Sequence, residues 1–148
     1  VTLITQNIDD LHERAGSTKV LHLHGEIRKV ESIANPSLVY ELDGWELKEG
    51  DTGEDGEQLR PHVVWFGEMV PNMGIAQPIV QSADIVLVVG TSLNVYPAAG
   101  LVLSATAHSR KFLVDPQDVP INKDIHNLTY YRETAGVAVP RIVDELLA

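Results

Sequence analysis

The chain of 148 residues contains no cysteine, which excludes disulfides and every thiolate zinc site. No HExxH stretch supplies an alternative metal motif, so no bound metal is expected. Basic residues are scarce: 11 Lys and Arg against 21 Asp and Glu leave a formal net charge of -10. Such a balance repels phosphate backbones and anionic lipid surfaces, and neither nucleic acid nor a membrane is an expected partner. No apolar run approaches the roughly 20 residues needed to span a bilayer. "IVLVV" at 85–89 has instead the length of a buried strand. A GxGxxG stretch, the standard dinucleotide fingerprint, is missing as well. The chain opens inside the apolar run "VTLIT" with no methionine and no signal-like segment, so the expectation is the interior of a longer, soluble protein.

What is present suits one globular core, with 44% of residues hydrophobic. Short β-branched runs alternate with helical patterns. Strands are expected at 1–5, 20–24, 63–66, 84–89, 111–115 and 128–132, with helices across 8–15, 73–82, 97–107 and 137–147. Near-continuous apolar strands separated by helices imply a Rossmann-like α/β fold, a parallel sheet with helices on both faces. Residues 27–62 break the rhythm and read as a small inserted subdomain or a long surface excursion. The division expected is therefore 1–26 with 63–148 as the main domain and 27–62 as the insertion. Leu38, Tyr40, Leu42, Trp45 and Leu47 are the residues around which that insertion is expected to pack.

Several stretches carry chemistry. In "VLHLHGE" (20–26), His22 and His24 sit at i and i+2 of an expected strand and so share a face. With no third or fourth ligand nearby, a metal pair is the weaker reading, and a half-buried, hydrogen-bonded His22 is the stronger. "DTGEDG" at 51–56 resembles an EF-hand loop only superficially. Gly53 stands at the third position and His62 at the twelfth, where a Glu is needed, so the stretch reads as a solvated turn.

"TQNIDDLHERAG" (5–16) places Gln6, Asn7 and Asp9 at a strand's C-terminal end, where they can hold a carboxamide or sugar hydroxyls or simply cap the next helix. "VVGTSLNVYPAAG" (88–100) ends a buried strand at Gly90, with Thr91 and Ser92 leading towards a helix start, a place where α/β sheets bind phosphates. "RPHVVWFGE" (60–68) reads as a two-aromatic strand ending at Gly67. Its backbone can pair with an extended peptide, although core packing is the default for Trp65 and Phe66.

Taken in order, "TQNIDDLHERAG", "HLHGE", "RPHVVWFGE", "GTSLNVYPAAG" and "ETAGVAVPRIVDEL" resemble the sirtuin (Sir2) family of NAD-dependent protein-lysine deacylases. "LRPHVVWFGE" looks most like the bacterial class III-like group that also contains desuccinylases, in the cysteine-free, zinc-less variant of Bacteroides-type bacteria. The resemblance implies that Gln6, Asn7 and Asp9 lie in the nicotinamide and ribose pocket, with His24 as catalytic base assisted by Asn7 and Asp9. It implies that His24, Gly90, Thr91, Ser92, Asp115, Ala135 and Gly136 also contact NAD, and that Val64, Trp65, Phe66, Gly67, Asn94 and Val95 contact the acyl-lysine substrate. Asp115 stands where many relatives carry asparagine.

In the implied mechanism the acyl oxygen attacks C1′ of the nicotinamide ribose, expelling nicotinamide and leaving an alkylimidate. His24 then takes a proton from a ribose hydroxyl, and hydrolysis releases lysine and O-acyl-ADP-ribose. NAD is consumed as a co-substrate; no zinc is expected. The family's first strand and Gly-Ala-Gly loop should precede Val1, so the isolated chain is expected to be inactive or unstable, and the complete form a cytoplasmic monomer. A non-catalytic NAD or ADP-ribose-binding module, a protein ADP-ribosyltransferase and an interaction-only fragment are the rival readings.

Overall fold

The computed structural model describes residues 1–91, 93 and 96–148, and the chain divides into two compact units, Val1–Asn72 and Met73–Ala148. The first begins with a βαβ unit. Strand β1 (Leu3–Thr5) pairs in parallel with β2 (Val20–His22) through the short helix α1 (Leu11–Arg14).

The expected helix 8–15 is shorter because the carbonyls that would start it are taken elsewhere. The Gln6 and Asn7 oxygens accept from the rings of His24 and His22, and the Ile8 oxygen accepts from Ile27 N–H. Asp9 Oδ1 accepts from Leu11 N–H in a turn just before the helix, whose N-cap, Asp10, makes no side-chain cap bond.

The rest of the unit is an antiparallel sheet of order β4-β3-β5, from β3 (Gly25–Ser32), β4 (Val39–Glu41) and β5 (Leu59–Val63). The stretch 27–62 thus contains real strands where the sequence shows little periodicity. Its interior is small: Val30 and Ser32 are buried, whereas Leu38, Tyr40, Leu42 and Leu47 are half-buried. Trp45 is 84% exposed, which corrects the expectation that it packs inside. Polar contacts do much of the holding. Ser32 donates to Asp55 at 2.5 Å, Asp51 accepts from Lys48 N–H, and the Tyr40 hydroxyl accepts from Glu54 N–H. Two carboxylates of the acidic stretch 51–56 thus tie it to β3 and to Lys48.

The second unit holds helix α2 (Met73–Gln81) and a parallel sheet of order β6-β7-β8, from β6 (Ile85–Val89), β7 (Arg110–Val114) and β8 (Leu128–Tyr131). Both faces of the middle strand are buried, as a parallel sheet requires. Phe112 and Val114 pack on Ala138 and Ile142 of helix α4 (Ala135–Leu147), while Leu113 is buried on the opposite face.

The expected helix 97–107 is broken into one 3-10 turn at Ala98–Gly100 and helix α3 (Leu101–Ser104). Ala105 is already extended, and the Thr106 carbonyl turns to the buried ammonium of Lys111 at 2.7 Å. No helix among the described residues is long and apolar enough to cross a membrane.

Candidate active site

In the first unit the site is built where β2 ends. The chain bends after His22, so His24 lies beyond the strand expected over 20–24. The two histidines take neighbouring carbonyls of the loop after β1. His22 Nδ1 lies 3.0 Å from the Asn7 oxygen and His24 Nδ1 3.0 Å from the Gln6 oxygen. A carbonyl only accepts, so Nδ1 of His24 carries the proton and Nε2 is left with its lone pair in the neutral ring. Nε2 has no hydrogen-bond partner among the described residues, and the ring is half-buried. His22 is buried, and its Nε2 is held 2.9 Å from Glu13 Oε1. Burial disfavours its charged form, but the Glu13 hydrogen bond, the Asn7 carbonyl and the Glu13 charge outweigh it and raise its pKa. Among the described residues no group of three or more His, Asp or Glu could hold a metal.

Gly25 follows His24 with φ +83, and a Cβ there would stand 2.1 Å from the His62 carbonyl oxygen. Only glycine admits β5 this close. The approach lets Val64 N–H donate to the His24 carbonyl at 2.9 Å, so the segment after β5 starts at His24's own backbone.

That segment is a turn and not the expected strand 63–66. Glu68 N–H closes it onto the Trp65 carbonyl, and Glu68 Oε2 accepts from Trp65 N–H at 2.9 Å. Arg60 grips the same carboxylate with both guanidinium nitrogens at 2.7 and 3.0 Å and also donates to the Val63 carbonyl. Trp65 is 55% exposed and Phe66 fully exposed. Core packing, the default for these aromatics, does not hold, because the tight turn carries their side chains away from the sheet. Gly67 has φ +91, and a Cβ there would meet nothing within 4 Å.

The second unit presents the carboxyl ends of its parallel strands. Gly90 continues β6 by donating to the Val114 carbonyl and then turns at φ +64. Thr91 Oγ1 accepts from Leu93 N–H. Asp115, buried at the end of β7, accepts from Gln117 N–H with Oδ1 at 2.8 Å. Ala135 and Gly136 open α4 behind Thr134, whose side chain does not cap the helix, and both are exposed. Ser92, Asn94 and Val95 lie outside the described residues.

The Sir2 family model matches residues 1–97. The chain belongs to the Sir2 family. It is 50% identical over 135 residues to an NAD-dependent protein deacylase of Bacteroides thetaiotaomicron, covering 86% of this chain and 58% of that protein. It is also 50% identical over 152 residues to one of Helicobacter pylori, covering 99% of this chain and 63% of that protein. A Sir2 homologue solved in complex with NAD shares the fold at a TM-score of 0.83 and 37% identity, over 100% of this chain and 60% of that one. The chain thus spans about three fifths of the length of these Sir2 relatives.

The residues of this sirtuin suit NAD. Nucleotides bind α/β sheets outside the carboxyl ends of the strands, and that edge here carries an open Gly90 turn, a buried carboxylate on Asp115 and the uncapped first turn of α4. Four residues at the site have no role in the sequence reading. Glu13 holds the His22 ring, and Arg60 and Glu68 lock the Trp65 turn. The Tyr130 hydroxyl accepts from Val119 N–H and donates to the Gln117 carbonyl, shaping the loop after Asp115. The opposite charges of Arg60 and Glu68 at the two ends of "RPHVVWFGE" were a signal for that pair; nothing local marks Tyr130.

Proposed function

We propose that this sirtuin is an NAD-dependent protein-lysine deacylase acting on acetyl- or succinyl-type acyl-lysine. Family membership supports the reading, and the proton arrangement at His24 carries it. A ring whose Nδ1–H is tied to the Gln6 carbonyl presents the Nε2 lone pair as a general base. NAD, when bound, supplies the ribose carbon from which nicotinamide departs and the hydroxyl that receives the acyl group.

In this reading His24 Nε2 takes the proton of that hydroxyl. Gln6, Asn7 and Asp9 hold the nicotinamide and ribose end, and Gly90, Thr91, Ser92, Asp115, Ala135 and Gly136 hold the phosphates and adenosine. Val64, Trp65, Phe66 and Gly67, with Asn94 and Val95, receive the acyl-lysine. The exposed aromatics and the open Gly67 backbone suit a peptide laid alongside as an added strand. Residues 27–62 act as an insertion in an NAD-binding domain made of 1–26 and 63–148; the antiparallel sheet β4-β3-β5 among parallel pairs supports this. The net charge of -10 supports a protein substrate in preference to nucleic acid, and we place the protein in the cytoplasm as a monomer.

Incubation of the full-length protein with NAD and an acetyl- or succinyl-lysine peptide is expected to yield nicotinamide and O-acyl-ADP-ribose. His24→Ala is expected to lower turnover by roughly 100-fold or more with the fold retained by circular dichroism. Unchanged turnover in His24→Ala would remove the base from the mechanism. ADP-ribosylated protein in place of O-acyl-ADP-ribose would reassign the reaction.

A further inference from the structure

His22 is left without a task by the chemistry assigned to His24, yet it is buried and doubly hydrogen-bonded. Its Nδ1 faces the Asn7 carbonyl at 3.0 Å and its Nε2 the Glu13 carboxylate at 2.9 Å. Neither partner can donate: a peptide carbonyl has no proton, and Glu13, held in its ionised form first by the His22 hydrogen bond, has its pKa lowered. Both ring nitrogens must therefore be donors, which only the imidazolium provides. The neighbouring histidine, with one acceptor partner, has no such requirement.

We propose that His22 is a positioning residue for the deacylation: a buried imidazolium that bridges Glu13 and the Asn7 carbonyl, fixing the loop whose Gln6 carbonyl orients the base His24. The inference rests on the deacylase reading for its kinetic consequence. The geometry beneath it is independent of that reading. Asn7 and Gln6 are adjacent in the chain, so a shift of one carbonyl moves the other. The backbone under His22 is anchored as well, since Asn72 Nδ2 donates to the His22 carbonyl at 2.6 Å.

The charged groups that act on the ring are Glu13 from α1 and Glu26 from β3. Parallel strand β1 (Leu3–Thr5) contributes no charged side chain, and His24 on the adjoining segment is turned to Gln6. Lys29 of β3 pairs with Glu26 at 2.9 Å and also acts on Glu13, as does His12, yet the two carboxylates still favour the charged form of the His22 ring. When the ring loses its proton it must drop one of the two bonds, and the loop carrying Gln6 and Asn7 is released from β2 or from α1.

The test uses the full-length protein with NAD and an acyl-lysine peptide between about pH 6 and pH 9, a range that spans the titration of a histidine whose pKa is raised. His22→Gln, which cannot donate from two opposite edges of a ring, is expected to lower kcat by roughly tenfold or more with a smaller change in KM for the peptide. Glu13→Gln keeps an acceptor for Nε2 but removes the charge. It is expected to stay within about twofold of wild type near pH 6 and to lose activity at a lower pH than wild type on the alkaline side. A merely structural role for His22 would lower stability without moving that limb.

Nitrogen-15 NMR of the histidine rings supplies a readout independent of turnover. Both nitrogens of His22 are expected to carry protons at pH 6, and the His24 Nδ1–H signal is expected to shift in His22→Gln. A neutral His22 ring at pH 6, or an unmoved His24 signal, overturns the proposal. So does an unchanged alkaline limb in Glu13→Gln when wild type is active. Wild type without nicotinamide release refutes the deacylase reading instead, and the two ring measurements still decide whether His22 is the cation that sets His24.

Discussion

Single residues decide how His24 is presented, and Gly25 is the least replaceable of them. A Cβ at Gly25 would sit 2.1 Å from the His62 oxygen in a backbone of φ +83. Gly25→Ala must either push β5 away or flip the backbone beside the base. It is expected to destabilise the chain by more than about 2 kcal/mol, measured by urea unfolding; a loss below about 0.5 kcal/mol would refute the close approach. Lys111 is a second case. Its ammonium is buried and donates to the carbonyls of Thr106, Ser109 and His126 at 2.7, 3.1 and 3.1 Å. Lys111→Met strands these oxygens and is expected to lower stability by about 3 kcal/mol, whereas a solvated lysine would tolerate the change. "KFLVD" gave the strand, but no local pattern reveals that its lysine points inward, because the three acceptors come from two separate turns.

At the scale of elements, the turn that carries Trp65 and Phe66 is held by charge more than by packing. The Arg60 fork on Glu68, and the Glu68 bond to Trp65 N–H, set the turn before any peptide arrives. Arg60→Ala is expected to raise KM for the acyl peptide by roughly three- to tenfold, more than it lowers kcat, because ordering the turn is then charged to binding. A fall in kcat alone would show that the turn acts on the chemistry and not on the peptide. The sequence reading made 63–66 a strand since "VVWF" has strand composition. The strand ends at Val63 because the Arg60–Glu68 fork, eight residues apart, draws the chain into a turn. Helix α1 shows the same effect: "IDDLHERA" has helical spacing, and two histidine rings and Ile27 N–H remove its first carbonyls. The strands of β6, β7 and β8 were legible within a residue or two, since their β-branched and aromatic residues, as in "IVLVV" and "LTYY", mark extended chain.

For the molecule as a whole, the shifted groups predict a stability maximum between acid and neutral pH. Glu13, Asp55 and Glu68 have lowered pKa values, caused first by hydrogen bonds from His22, Ser32 and Arg60 respectively. Their small, solvent-screened contributions are present above the ordinary carboxylate range and disappear as pH falls through the lowered values. His22 is raised, so its contribution is complete below about pH 6.5 and disappears as pH rises through its folded value. Thermal unfolding followed against pH should therefore decline on the alkaline side in wild type and stay flatter there in His22→Gln. Equal slopes in the two would refute the linkage.

The ordered motifs in the sequence determined the family, the parallel α/β strands and the identity of His24 as the base to test. They did so because motif order and apolar runs are local in the chain. Only the tertiary structure decided that His22 and His24 take adjacent carbonyls with different proton requirements, that Trp65 and Phe66 face solvent, and that Trp45 is exposed. Each of those depends on partners brought from distant positions, such as Glu13, Gln6, Glu68 and the His62 carbonyl, and no spacing in the sequence records which partner a side chain will meet.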